Sequence, residues 1–181
     1  KIQHGPLRLI FTVDEETNMT GALSLSADHV KDAKYVINCD SESIHVICVA
    51  SAGSCHMEFT RDLHRCAPTG DTALTVRAHA LAGGHSGEVI NEGRGNAIKA
   101  VADVLYRLSE GGVEYALADY KGGVAANAIP SDASAVVVVA AKDVDRVKAT
   151  VAAAEKDFNL VYGETDPNAV FEVTPTDLPK S

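Results

Sequence analysis

Positive charge is in short supply in this chain: Lys and Arg together number 16 against 25 Asp and Glu, a formal net charge of −9. That balance argues against nucleic-acid binding, which ordinarily leaves a basic footprint. It equally disfavours an anionic membrane surface as partner, and no apolar run approaches the length of a membrane span. The N-terminus lacks the layout of a signal peptide and does not begin with Met, which reads as a fragment of a longer polypeptide. Cys39, Cys48, Cys55 and Cys66 show no C-x-x-C pairing, so neither a disulfide framework nor a regular zinc motif is expected. A zinc site from Cys55, His56, His64 and Cys66 has irregular spacing. A reducing, cytoplasmic compartment follows as the expectation. Internal repeats, coiled-coil heptads and low-complexity tracts are also missing.

What is present suits an ordinary globular protein: 181 residues, 46% hydrophobic and 23% charged, enough for one large domain or two small ones. The run Leu7–Val13 reads as a buried strand, followed by a helix over 20–30. Further strand-like runs cover 35–39 and 43–50, so that residues 1–51 suggest a βαβ segment of a mainly parallel sheet. From residue 52 onward the texture changes. Strand patterns at 73–81, 113–120, 133–141 and 169–174 alternate with helical periodicity at 96–108 and 144–158, the second helix capped by Asp143. The order β-α-β-β-α-β predicts an antiparallel sheet with helices on one face, ending before a polar tail at Pro175 and Pro179. The expected fold class is α/β, a partial βαβ segment over 1–51 followed by an α+β domain over 52–181.

Carboxylates gather at the ends of the N-terminal strands. Asp14, Glu15 and Glu16 close the first run, and Asp40 and Glu42 close the second. Ligands of open α/β sheets collect beyond strand C-termini. Adjacent glutamates can divide the work of a metallohydrolase, one binding metal while its neighbour deprotonates water. On spacing alone, solvated loop acids are the stronger reading, since acidic residues at strand ends are common. Gly83-Gly84-His85-Ser86-Gly87 is different. A histidine among glycines has little apolar cover, and glycine permits unusual dihedrals, so His85 can be presented to a ligand or to another chain. An exposed, idle turn remains the other reading. Gly122 to Pro130 reads locally as a hairpin loop.

Taken together these stretches resemble a known family. FTVDEETNMTGA at 11–22, INCDSE at 37–42, GGHSGEVINEGRGNAIK at 83–99 and GGVAANAIP at 122–130 are similar to the di-zinc aminoacyl-histidine dipeptidases. These Xaa-His, or carnosine-type, enzymes sit within the metallopeptidase family that also holds aminoacylases and glutamate carboxypeptidases. The resemblance implies that Glu15 is the general base, with Glu16 and Asp40 as zinc ligands. It implies that His85 steadies the oxyanion from a lid domain and that Asn127 binds substrate. It further implies two zinc ions, with manganese or cobalt as possible replacements, a small peptide substrate and a homodimer formed through the lid. The family's H-x-D motif, its bridging aspartate and its last histidine ligand are absent from the chain, and Ser43, Ile44 and Ser131 depart from its pattern. The expected activity is therefore hydrolysis of dipeptides by a longer enzyme, with the chain alone inactive. An N-acyl amino acid deacylase and a non-catalytic dimerisation module are the alternatives.

Overall fold

Strand β1, Thr72–His79, alternates in burial, and the alternation decides which face is covered. Leu74, Val76 and Ala78 point to one side and are almost wholly shielded; Thr75, Arg77 and His79 on the other are half-buried. The computed structural model describes residues 3–40, 45–50 and 57–180. They fall into two compact units, Lys1–Phe59 and Thr60–Ser181.

In the second unit β1 is followed by helix α1 (Ala97–Glu110), strands β2 (Tyr115–Gly122) and β3 (Ala133–Val139), helix α2 (Val144–Tyr162) and strand β4 (Val170–Thr176). The four-stranded sheet runs β2-β3-β1-β4, and every neighbouring pair is antiparallel. This is the β-α-β-β-α-β arrangement expected from the sequence, with strand ends displaced by a few residues. Val76 lies opposite Ala135 of β3 and Val173 of β4 at the centre of the ladder.

Both helices cover the same face. In α1 the buried stripe is Ala97, Val101, Val104 and Leu108, and in α2 it is Val147, Val151, Ala154 and Phe158, the spacing of an amphipathic helix. These residues meet Leu74, Val76, Ala135, Val137 and Val139 in one core. The start of α1 is set by Asn96, whose side-chain oxygen accepts from the Lys99 N–H at 3.1 Å. At its end, Gly112 adopts φ 71° to reverse the chain.

Asp143 and Pro175 behave differently from expectation. Asp143 occupies the position before α2 but makes no side-chain cap, because a short 3₁₀ turn, Ala141–Asp143, already leads into the helix. Its carboxylate is nearly buried and accepts instead from Arg146 at 2.8 Å. Pro175 does not end the fold; it lies within β4, opposite Leu74. β4 is an edge strand, where a missing N–H leaves no ladder partner unsatisfied.

The first unit departs furthest from the sequence reading. The expected helix over 20–30 is a four-residue helix, Thr20–Leu23, and a 3₁₀ turn, Ala27–His29. The runs 7–13, 35–39 and 45–50 form no strands, and the βαβ segment is not assembled; Ser43 and Ile44 lie outside the described residues. Phe11, Ile37 and Ile47 are 89%, 81% and 87% exposed. A strand is stable only beside neighbours that satisfy its backbone, and a parallel sheet needs both faces covered. Among the described residues of this unit no buried core supplies that cover. Arg8 pairs with Asp32 through two hydrogen bonds, at 2.6 and 3.0 Å, but so exposed a pair adds little.

On the sheet face away from the helices, Arg77 donates two hydrogen bonds to Asp132 and lies 3.6 Å from Glu172. The hydrogen bond from Arg77 holds the Asp132 carboxyl below its ordinary range; burial opposes it, and the charges of Arg77 and His79 add to it. A lowered native pKa gives stabilisation that is complete above the ordinary carboxylate value and is lost as pH falls through the native one. We therefore expect Asp132→Asn to destabilise the second unit at neutral pH, with the difference from wild type shrinking as pH falls from about 5 towards about 2. Urea unfolding across that range checks it; a difference that stays constant would remove the linkage.

Candidate functional site

The excursion that carries His85 leaves the end of β1 under several constraints. Leu81 is buried, and its N–H donates to the Ser131 carbonyl at 3.3 Å. Gly83 and Gly84 then adopt φ 60° and 116°. A Cβ on Gly84 would lie 2.7 Å from the Arg94 guanidinium, so this turn needs glycine on both conformational and spatial grounds. Gly84 and His85 next pair antiparallel with Ile129 and Ala128 in a two-residue ribbon. The Ser86 N–H extends it by donating to the Asn127 carbonyl at 2.8 Å. The hairpin loop at 122–130 is thus tied to the histidine turn, and the two motifs share one surface.

His85 precedes a single helical turn, Ser86–Val89. Its Nδ1 accepts from the Gly87 N–H at 3.1 Å. In the neutral ring the proton accordingly sits on Nε2. Nε2 lies 3.2 Å from the side-chain amide of Asn127. The contacting atom is the amide Nδ2; with the ring proton on Nε2 the amide pairs only when turned end for end, an assignment from the hydrogen-bond pattern. Both side chains are exposed. A shallow depression of about 570 Å³ is lined by their chain neighbours Ser86, Ala126 and Ala128, with Ile90, Val124 and Ala125 among others, and by neither His85 nor Asn127 themselves. An exposed imidazole beside an exposed amide can donate to an oxygen on a small polar ligand.

The acidic residues are placed otherwise. Glu15 and Glu16 lie in an exposed turn, and Asp40 is also exposed. The turn is held by its neighbour: Asp14 takes φ 58° and accepts from the Thr20 hydroxyl at 2.6 Å. Asp40 donates its backbone N–H to the Asn38 side chain at 2.8 Å. Among the described residues no group of His, Cys, Asp or Glu is large enough to hold a metal ion. Glu42, Cys55 and His56 lie outside the described residues, while Cys66 is exposed. His85 and Asn127 are brought together; Glu15, Glu16 and Asp40 are not assembled into a metal site.

Sequence reasoning missed the groups that secure the base of the histidine excursion. Arg94 donates to the Gly83 carbonyl at 2.6 Å and is held by Glu92 at 2.6 and 2.9 Å. Asp166, 1% exposed, accepts from the backbone N–H groups of Ala82 and Gly95, each at 2.7 Å. Arg94 could have been found, since it sits inside the glycine-rich motif. Asp166 could not: before Pro167 at a helix end it reads as any turn residue.

Comparison with known proteins finds relatives of this chain. Residues 78–166 match the peptidase dimerisation domain. The cytosol non-specific dipeptidase of Escherichia coli (strain K12) is 37% identical over 153 residues, 83% of this chain. The crystal structure of the aminoacylhistidine dipeptidase from Vibrio alginolyticus superposes with a TM-score of 0.62 at 27% identity, over 66% of this chain. The chain spans only 31% of the first protein and 24% of the second. Residues 78–166 are thus a peptidase dimerisation domain, and the chain belongs to the peptidase family that carries it, as a relative of these dipeptidases.

Proposed function

We propose that this chain works within a metal-dependent dipeptidase. In this reading residues 1–51 contribute to the catalytic domain, and 52–181 to a lid through which the enzyme forms a homodimer. The observation that carries the proposal is the His85–Asn127 pair, held on a two-residue ribbon, within a domain that matches a dimerisation domain. Both relatives named above are dipeptidases, which favours peptide substrates over N-acyl amino acids, and the aminoacylhistidine dipeptidase alone points to the Xaa-His type.

Zinc is the cofactor this reading calls for, and it would supply the activated water; manganese and cobalt are the substitutes. Glu16 and Asp40 would be among its ligands, but a catalytic zinc takes about three protein ligands. The described residues hold no such group, so on their own they do not fit a zinc site. What the side chains contribute can still be stated. Glu15 takes a proton from the attacking water and returns it to the leaving amine. His85 donates Nε2–H to the oxygen that gains charge as the carbonyl becomes tetrahedral, a contribution realised mainly in the transition state. Asn127 holds the ring in the resting state and binds a polar group of the substrate when one is present. The lack of a membrane-crossing helix among the described residues is compatible with a cytoplasmic enzyme.

In the intact enzyme, His85→Ala should lower kcat by about 10²–10³-fold with little change in KM, as for loss of a single oxyanion donor. Steady-state kinetics on Xaa-His dipeptides and on N-acyl amino acids checks both role and substrate class. Wild-type kcat in the variant would remove the role, and faster turnover of N-acyl amino acids would replace the substrate. Glu15→Ala should abolish turnover without releasing metal; near-normal activity would reassign the base. The 181-residue chain by itself should bind zinc only weakly, as scattered carboxylates short of three convergent ligands do. Equilibrium dialysis tests this, and a stoichiometric micromolar site would contradict it.

A further inference from the structure

We propose that Asp166 is a positioning residue for His85, its one buried carboxylate holding both ends of the segment that presents the ring. This rests on the oxyanion role of His85 and deepens it.

The ribbon has little else to fix it. Gly84 and His85 are exposed, and the turn Ser86–Val89 buries none of its residues. With no apolar anchor of its own, the segment depends on hydrogen bonds for its placement, and above all on its base. There Asp166 Oδ1 accepts from the Ala82 N–H, just before the glycine pair, and Oδ2 accepts from the Gly95 N–H, just after the segment closes. The Thr165 hydroxyl lies 3.2 Å from Oδ2 and 3.1 Å from the Tyr162 carbonyl, with one proton to give to either. The base is closed a second time by Arg94, through the Gly83 carbonyl. Gly95 itself must be glycine here, since a Cβ would fall 2.4 Å from the Phe158 ring.

Asp166 is in turn anchored to the scaffold. Its N–H donates to the Tyr162 carbonyl at 2.7 Å, at the end of α2, and its carbonyl accepts from the Ala169 N–H at 3.1 Å, just before β4. The position of α2 is therefore transmitted through one side chain to the two stems of the histidine segment. A carboxylate suits this task because both oxygens accept. An amide of the same shape would turn a donor towards either Ala82 N–H or Gly95 N–H and release that stem. A buried carboxylate is costly unless donors satisfy it, and here the donors are the stems themselves.

The test is a double-mutant cycle in the intact dipeptidase, well below its unfolding temperature, using Asp166→Asn and His85→Ala. We expect Asp166→Asn to lower kcat by on the order of 10–100-fold, the effect of a small misplacement of a catalytic group, with KM changed by less than about twofold. In the His85→Ala background it should cost nothing further. Loss of thermal stability with unchanged kcat would overturn the proposal, as would an equal loss of kcat with and without His85. Should Asp166→Asn fail to fold, Arg94→Met carries the same cycle at the other closure of the base and decides by the same outcomes. The two readings fail separately. Wild-type kcat in His85→Ala sinks the oxyanion role and this proposal with it, whereas an impaired His85→Ala without coupling to Asp166 sinks this proposal alone.

Discussion

A four-stranded sheet with one apolar face must cover that face, and nearly everything ordered in the second unit follows from doing so. Leu74 and Val76 of β1, with Ala135, Val137 and Val139 of β3, leave no room for a polar neighbour on their side. Each side chain of that size contributes about 1.5–3 kcal/mol when fully buried, which offsets the entropy of ordering its own segment and little more. The core is therefore cooperative, and neither helix has a reason to exist away from the sheet. α1 and α2 each present a single stripe to it, which fixes where each helix ends. The end of α2 places Asp166, and the start of α1 places Asn96 and Gly95.

From those fixed ends the His85 segment is held by polar contacts. The His85 ribbon lies outside the core and is attached to it by backbone donors and acceptors, with Asp166 and Arg94 at its stem. Such an arrangement places a side chain accurately while leaving it open to solvent. That combination is what a group donating to a developing charge requires, since a donor aimed beforehand adds no reorganisation at the moment of reaction.

The lid was readable from its residues because its signals are local. Period-2 alternation in Thr72–His79 and the helical stripe from Ala97 to Leu108 each encode burial within a few residues of themselves. The glycines before His85 encode a turn by conformation alone. Asp143 misled because side-chain type suggests a cap, while the preceding 3₁₀ turn, set by packing, had already begun the helix. Pro175 misled because proline breaks strands except at an edge, and edge position is a property of the whole sheet. Asp166 left no trace at all, since the partners that give it meaning, Ala82 and Gly95, are 84 and 71 residues away in sequence.

The same distinction explains the first unit. Leu7–Val13 and Tyr35–Cys39 carry as much β-propensity as the strands that do form, yet Phe11 and Ile37 stand almost fully exposed. Propensity describes how well a residue fits a pleated surface already present; it does not supply the surface. Where Thr72–His79 has β3 on one side and β4 on the other, these runs have no ladder partner among the described residues. The acids proposed as catalytic, at the ends of these runs, inherit that dependence. Glu15, Glu16 and Asp40 follow runs that form no strands, so the role proposed for them depends on long-range assembly. The chemistry of His85 depends on a ribbon and a buried carboxylate that the second unit contains in full.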